Sequence, residues 1–297
     1  MRAGLLIAGA GLALLIALSW YTAGRLMTGR PMSVGDAPPE LFAQTIRLED
    51  GLGRTLAGWV VPPAQSARAT APGPFPPGRG VVVLLHGLHG NRRAMLVRAA
   101  WLAELGWTSL LIDLPAHGES EGQGLTLGDT ESVAVRAAVE FARELAAGAP
   151  VGLIGVSLGG VSAVLAGDLG LDGLVLESVF PDIRSAITNR CTKRLGALGH
   201  LAAFALVIQI GPRLGVSIER LSPALALEAL EQPVFVIGGE RDDATPPEES
   251  RALFERAGGQ KQLWIVPGAG HVDLYNASPE EYRRRVGGFL DRWLVRD

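Results

Sequence analysis

From Gly80 onward, short apolar runs alternate with longer stretches rich in Ala, Leu and Arg, and this alternation restricts the fold more than any other feature. The runs are rich in β-branched residues and lack polar alternation, as in strands buried on both faces. Such a pattern is typical of a mostly parallel sheet covered by helices on both sides. It predicts strands at Gly80–Leu85, Thr108–Ile112, Val151–Gly155, Leu174–Leu176, Val234–Ile237 and Gln262–Val266, and helices at Ala94–Leu105, Asp129–Ala147, Leu158–Gly167, Glu248–Ala257 and Glu280–Leu294.

Three other segments complete the domain. Leu41–Leu48 and Arg54–Val61 flank a Gly-containing connection and predict an antiparallel hairpin. The stretch Pro62–Arg79 contains too much Pro and small polar sequence to pack, so we expect a long solvent loop there. The excursion Phe180–Leu230 is longer than a crossover helix needs and is interpreted as a small cap.

The N-terminus carries a long uncharged segment. No charge occurs between Arg2 and Arg25, about the length that a helix needs to cross a bilayer. A cleaved signal peptide ending near Gly24 and a helix lying on the membrane surface are alternatives. The flanking charges do not decide the orientation. The stretch Gly29–Glu40 is rich in Pro, Gly and Ser, which indicates a tether. We therefore divide the chain into an anchor at 1–30, a tether at 31–40 and a catalytic domain at 41–297 with a cap insertion at about 181–230.

Charge and cysteine content exclude several function classes. Lys and Arg total 27, Asp and Glu total 30, and no basic block is present, so nucleic acid is not an expected partner. A single cysteine, Cys191, excludes an intrachain disulfide framework, and we interpret it as an ordinary cap residue. No metal-binding or dinucleotide motif occurs, so we predict no metal and no cofactor.

The sequence Gly155-Val156-Ser157-Leu158-Gly159 follows a predicted strand and opens a predicted helix. A serine on such a sharp turn projects its hydroxyl over the carboxyl edge of the sheet. A helix N-cap serine is the simpler interpretation of the same turn. The placement favours a nucleophile.

A serine nucleophile needs a base and a group that orients the base. His271 lies in the loop after the last predicted strand, and Asp242 lies in the loop after Val234–Ile237. The chain order of Ser157, Asp242 and His271, each following a different strand, is the order expected for this architecture.

These motifs resemble those of the α/β-hydrolase superfamily, over nearly all of the chain from Leu41 to Val295. The chain looks most like monoacylglycerol-lipase-like and depalmitoylase-like serine hydrolases, several of which carry an N-terminal membrane anchor. The resemblance rests on the segments LLHGLHGN, DLPAHGESEG, GVSLGG, LESVFPDIRSA, GGERDDATPP and PGAGH.

The resemblance implies roles for individual residues. Ser157 is the nucleophile, His271 acts as general base and then acid, and Asp242 orients His271. Asp243 competes with Asp242, which is preferred because the family acid usually stands three residues after the glycine of this turn, here Gly239.

The resemblance also implies that the backbone N–H groups of Leu158 and Leu88 form the oxyanion hole. Residues near these positions have less specific interpretations. Glu177 is the alternative acid; His86 and His117 are expected to shape loops; and His89 either lines the pocket mouth or is solvated.

The segment Ala197–Gly211 is apolar, and it is interpreted either as a buried cap helix or as a lid that lines an acyl pocket or dips into a membrane. We therefore predict a membrane-tethered serine hydrolase that cleaves a lipophilic carboxylic ester or thioester through an acyl-enzyme. An acyltransferase with the same triad and a non-catalytic scaffold remain alternatives. The expected location is a membrane, by a single-pass anchor, or a secreted or periplasmic site after signal cleavage.

Overall fold

Eight strands form one sheet in the computed structural model, which describes residues 17–25, 27–67, 78–271 and 274–294. The spatial order is β1-β2-β4-β3-β5-β6-β7-β8. Strands β3 to β8 run parallel, whereas β2 is antiparallel to both β1 and β4. The strands are β1 (Gln44–Glu49), β2 (Thr55–Val61), β3 (Val81–Leu85), β4 (Thr108–Ile112), β5 (Val151–Val156), β6 (Gly173–Glu177), β7 (Val234–Gly239) and β8 (Lys261–Val266).

Helices cover both faces of the sheet, and each face has its own apolar core. Within β3, Val81, Val83 and Leu85 belong to one core cluster, whereas Val82 and Leu84 belong to the other. This explains why the strand is apolar at every position. The helices are α1 (Ala64–Ala67), α2 (Leu96–Glu104), α3 (Glu131–Ala146), α4 (Leu158–Leu165), α5 (Ile183–Leu195), α6 (Gly199–Val207), α7 (Ile210–Leu214), α8 (Pro223–Leu227), α9 (Pro247–Arg256), α10 (Leu274–Ala277) and α11 (Pro279–Leu294).

The predicted mostly parallel sheet with helices on both faces is confirmed. Helices α3, α4 and α9 contribute to one core and α2 and α11 to the other. The predicted hairpin corresponds to β1 and β2. In the predicted solvent loop, residues 68–77 lie outside the described part of the chain.

The N-terminal segment is only partly described. Residues 17–25 are helical, and the first sixteen residues of the predicted anchor lie outside the described residues. The end of the predicted anchor and the predicted tether lie along the main domain, where Arg30–Pro31 pair in parallel with His117–Gly118. The side chain of Val34 is only 5% exposed. Residues 27–43, from the end of the predicted anchor through the predicted tether, therefore form a strap that packs against the domain.

The predicted cap contains α5 to α8. Gly196 ends α5 with a φ of 56°, in the left-handed region that favours glycine. A Cβ atom on Gly199 would lie 2.4 Å from the Cα atom of Thr192, so α6 folds back closely on α5. Leu221, Leu227 and Leu230, at the end of the excursion, belong to the main core instead of the cap surface.

Within the described residues, one stretch, Ile183–Leu214, is long and apolar enough to cross a membrane by length and composition. Its mean hydropathy is 1.6. It consists of α5, α6 and α7 and is interrupted at Gly196, so it forms a hairpin and not one straight helix.

Candidate active site

Ser157 lies on the sharp turn between β5 and α4. Its φ of 47° and ψ of −113° are unusual for a residue with a side chain, and the surrounding packing holds them. The turn requires glycine on both sides. A Cβ atom on Gly155 would lie 2.6 Å from the Cα atom of Gly160, and one on Gly159 would lie 2.7 Å from the Cβ atom of Leu85. The Ser157 N–H donates to the carbonyl oxygen of Glu177 at 2.8 Å, which fixes the turn to β6.

The structure brings together the three side chains that the sequence placed on separate loops. The Oγ atom of Ser157 lies 3.2 Å from Nε2 of His271. The Nδ1 atom of His271 lies 2.8 Å from Oδ2 of Asp242. With Nδ1–H donating to the carboxylate, Nε2 is left free to accept the Ser157 proton.

Asp242, and not Asp243, faces His271. Asp242 is 3% exposed, and its Oδ1 atom accepts the backbone N–H groups of Ala244 at 2.9 Å and Thr245 at 2.8 Å. These bonds leave Oδ2 directed at the imidazole. Asp243 is exposed and its carboxylate lies 2.5 Å from Nζ of Lys193. The adjacent acids therefore have different partners, one at the centre of the site and one at the surface.

The loop after β3 passes over the nucleophile. A Cβ atom on Gly87 would lie 3.5 Å from Cβ of Ser157, so the Gly87–Leu88 peptide is adjacent to the serine. On the other side of Ser157, α4 begins at Leu158, whose N–H is one of the four at the helix start that have no partner within the helix. The two predicted oxyanion donors thus flank the same serine, where the positive end of α4 favours negative charge.

Three histidines form a chain beside this loop. His86 and His117 are fully buried, with ring centroids 5.2 Å apart. Nε2 of His117 accepts the N–H of His89 at 3.1 Å, and its Nδ1 lies 2.9 Å from the carbonyl oxygen of Pro115. His89 itself is exposed and has a φ of 59°. The imidazoles of His86 and His117 therefore bind backbone groups, whereas the His89 side chain faces solvent.

Glu177 lies away from His271 and is part of a buried network. Its carboxylate accepts from Nη2 of Arg98 at 2.5 Å and from the hydroxyl of Tyr282 at 2.6 Å. Burial, reinforced by the Glu177 charge, raises the pKa of Tyr282 well above its usual value. Because Glu177 and Arg98 neutralise each other in the core, Glu177 has a structural partner of its own.

Two cap residues contact the acid loop and were not singled out from the sequence. Asn189 of α5 donates through Nδ2 to Oε1 of Glu249 at 2.6 Å and to the carbonyl oxygen of Ala244 at 3.4 Å. Nη1 of Arg190 donates to the same carbonyl at 3.4 Å. These contacts join the cap to the loop that carries Asp242. The sequence offered no signal for them, because α5 contains several interchangeable polar residues.

The strap also reaches the site and was not singled out. Nη1 of Arg30 donates to the carbonyl oxygen of His89 at 3.3 Å. The carbonyl oxygen of Met27 accepts the N–H of Leu125 at 2.8 Å. The Pro- and Gly-rich composition that predicted a tether gave no indication of either bond.

Other reactive groups lie apart from the triad. Cys191 is half-buried on α5, and burial raises the pKa of its thiol, which opposes thiolate formation. Among the described residues, no group of three or more His, Cys, Asp or Glu side chains could hold a metal ion. A cavity of about 850 Å³ between the helix at 17–25, α7 and the loop at 121–126 includes none of the triad in its lining.

Comparison with known proteins places the chain in a family. The family described as the alpha/beta hydrolase family matches residues 82–285. The uncharacterized protein YqkD of Bacillus subtilis is 27% identical over 219 residues, which are 71% of this chain and 70% of that protein.

Among solved structures, the esterase Pf2001 of Pyrococcus furiosus aligns with a TM-score of 0.70 at 23% identity, covering 90% of this chain and 98% of its own. Est1E of Butyrivibrio proteoclasticus, solved with ferulic acid bound, aligns with a TM-score of 0.63 at 19% identity, covering 84% of this chain and 100% of its own. These two likenesses concern the fold. Because the family match spans well over half of the chain, the protein belongs to the alpha/beta hydrolase family.

Proposed function

We propose that the protein is a serine hydrolase that cleaves a carboxylic ester or thioester through an acyl-enzyme on Ser157. The observation that carries this proposal is the linear series from Oγ of Ser157 to Nε2 of His271, and from Nδ1 of His271 to Asp242. The base stands within hydrogen-bonding distance of both the nucleophile and the orienting acid, as serine activation requires. Family membership and the likeness to an esterase support the same reaction class.

The proposed reaction has two halves. Oγ of Ser157 attacks the acyl carbon while Nε2 of His271 takes the hydroxyl proton. The Leu88 and Leu158 N–H groups stabilise the oxyanion of the tetrahedral intermediate. The intermediate collapses, the bond to the leaving alkoxide or thiolate breaks, and His271 protonates the leaving group. Water then attacks the acyl-enzyme, again giving a proton to His271, and the acid leaves as Ser157 recovers its proton.

The substrate proposed is a lipophilic acyl ester or thioester, as in monoacylglycerol-lipase-like and depalmitoylase-like enzymes. Two features support it: an apolar cap helix, α6, and an uncharged N-terminal segment. We propose residues 1–30 as a membrane anchor that keeps the catalytic domain near such substrates. Catalysis by this triad needs neither a metal nor a cofactor.

Labelling with a fluorophosphonate probe tests the nucleophile. We expect labelling of the wild-type protein and of Ser33→Ala, an exposed serine on the strap, but not of Ser157→Ala. Equal labelling of Ser157→Ala, or no labelling of folded wild-type protein, would overturn the assignment. A series of p-nitrophenyl esters from acetyl to palmitoyl tests the substrate class. A strict preference for the acetyl ester would refute the lipophilic substrate and leave the serine hydrolase intact.

A further inference from the structure

Helix α6 is apolar on both sides, although one side is exposed. Gly199, Ala203 and Val207 are buried within the cap. On the opposite side, Leu201 is 70% exposed, Phe204 59% and Ile208 55%. A helix that is apolar all round is normally covered on all sides, by a protein core or by lipid. Exposed apolar patches of this kind mark interaction surfaces.

The helix at 17–25 extends this exposed surface. Nε2 of Gln209 donates to Oγ of Ser19 at 2.7 Å, and the guanidinium of Arg213 stacks 3.9 Å from the ring centroid of Trp20. Arg213 also donates to the backbone carbonyl of Trp20. The helix is thereby attached at the end of α6, beside Ile208. We define the apolar face as the exposed side chains of Leu18, Trp20, Tyr21, Leu198, Leu201, Phe204 and Ile208.

The chain that precedes this face indicates what covers it. Residues 1–16 lie outside the described part, carry one charged side chain, Arg2, and continue directly into the helix at 17–25. Residues 1–16 join the helix at 17–25, which is part of the apolar face. An apolar medium that accommodates residues 1–16 therefore begins next to this face. Trp20 and Tyr21, at the junction, are residue types enriched at membrane interfaces.

Charge identifies the medium more closely. The cap range Ile183–Leu214 contains no Asp or Glu. A basic, apolar surface repels a second copy of itself and attracts an anionic membrane leaflet. The range holds five basic residues, of which Arg190 binds the acid loop and Lys193 pairs with Asp243. Arg184, Arg194 and Arg213 remain for a lipid surface.

We propose that the apolar face lies on an anionic phospholipid bilayer, with Leu201, Phe204 and Ile208 among the acyl chains and with Arg184, Arg194 and Arg213 at the level of the headgroups. This inference deepens the proposed function, since it specifies where the proposed hydrolase meets a lipophilic substrate. Asn189 and Arg190 join the bilayer-facing cap to the Asp242 loop, so the site stands next to the lipid surface.

Site-specific fluorescence on the full chain tests the placement without relying on activity. In a Cys191→Ala background, an environment-sensitive dye is attached at Leu201→Cys or Phe204→Cys. The control is Leu105→Cys, a 36% exposed position at the end of α2, on the opposite edge of the sheet. The protein is reconstituted into phosphatidylcholine vesicles with or without phosphatidylserine.

We expect lipid-attached nitroxide to quench the dyes at 201 and 204, more strongly with phosphatidylserine, while aqueous iodide quenches the dye at 105. Dyes at 201 and 204 that stay fully accessible to iodide in vesicles would overturn the proposal. Shielding from iodide without quenching by the lipid-attached nitroxide would also overturn it, indicating a second copy if the shielding depends on protein concentration and residues 1–16 if it does not.

A double substitution tests the consequence for substrate access. Because both side chains are exposed, Leu201→Glu with Phe204→Glu should leave folding and hydrolysis of a water-soluble ester unchanged. Hydrolysis of an ester held in anionic vesicles should fall at least about tenfold, since two apolar groups no longer enter the lipid. Equal rates of wild type and variant on the vesicle ester would contradict the docking. Lack of hydrolysis of any ester by the wild type would refute the proposed function and leave the fluorescence result standing.

Discussion

The Nδ1 atom of His86 lies 2.8 Å from the carbonyl oxygen of Gly87. Nε2 of His86 accepts the N–H of Leu114 at 3.0 Å, so the single proton of the neutral ring is on Nδ1 and is donated to Gly87. The Gly87 carbonyl and the Leu88 N–H belong to one planar peptide and point in opposite directions. His86 therefore fixes the direction of the Leu88 N–H, the proposed oxyanion donor.

Replacement of His86 should lower the turnover number. For His86→Ala we expect kcat to fall about 10- to 100-fold with a smaller change in KM, since the lost donor alignment matters most in the transition state. Steady-state kinetics on a soluble ester measure this. His86→Asn retains an amide donor for Gly87 and should recover most of kcat. A rise in KM alone, with kcat unchanged, would contradict the positioning role.

The two adjacent aspartates should differ sharply in their effect on activity. Asp242→Asn removes the charge that, in the proposed mechanism, orients His271 and stabilises its imidazolium, so kcat should fall roughly 10³- to 10⁴-fold. Asp243→Asn, which loses only a surface contact with Lys193, should change kcat less than about twofold. Kinetics of both purified variants provide the comparison. Similar losses in the two variants would refute the distinction between them.

His86 should make the folded state sensitive to acid. Burial lowers its pKa from 6.5 to about 3, so between these values the unfolded chain binds a proton that the folded chain excludes. The stability that depends on neutral His86 is complete above pH 6.5 and is lost as the pH falls toward 3. The free energy of unfolding should decrease by up to about 1.4 kcal/mol per pH unit from this group.

Urea unfolding at pH 7 and pH 5 measures the decrease in wild type and in His86→Asn. The variant should show a smaller pH dependence, whereas His117, whose pKa burial also lowers, contributes equally to both proteins. An identical pH dependence in the two proteins would contradict the assignment.

The buried Glu177 network should matter for stability more than for chemistry. Glu177→Gln leaves the Arg98 guanidinium buried without its counter-charge, which should reduce the free energy of unfolding by about 3–5 kcal/mol. Tyr282→Phe removes one hydroxyl and should cost about 1–3 kcal/mol. Denaturant titrations measure both. Full stability of Glu177→Gln together with a thousandfold loss of kcat would instead identify Glu177 as the acid.

The local pattern of apolar residues in the sequence predicted the strands and the loops that follow them. Strands β3 to β8 lie within a few residues of their predicted positions, because strands buried on both faces must be apolar throughout. Ser157, Asp242 and His271 were recognisable because each follows a strand and therefore reaches the same sheet edge. Gly155 and Gly159 gave a further signal, since backbone approach at the turn excludes a side chain.

Contacts between distant segments were not predictable in the same way. Asn189 and Arg190 reach the Asp242 loop only because α5 crosses it, and nothing in the periodicity of α5 indicates that crossing. The strap was expected to be a tether because Pro and Gly disfavour regular structure. Its pairing with His117–Gly118 depends on a partner nearly ninety residues away.

The strap determines where the chain can be shortened without damaging the site. Removal of residues 1–30 would delete the Met27 carbonyl that binds Leu125 and the Arg30 guanidinium that binds His89, next to the proposed oxyanion donor. A soluble protein that began at Pro31 would thus lose contacts that support the proposed site along with the proposed membrane segment, and low activity would be wrongly attributed to the missing lipid. A protein that begins at Ala17 separates the two effects.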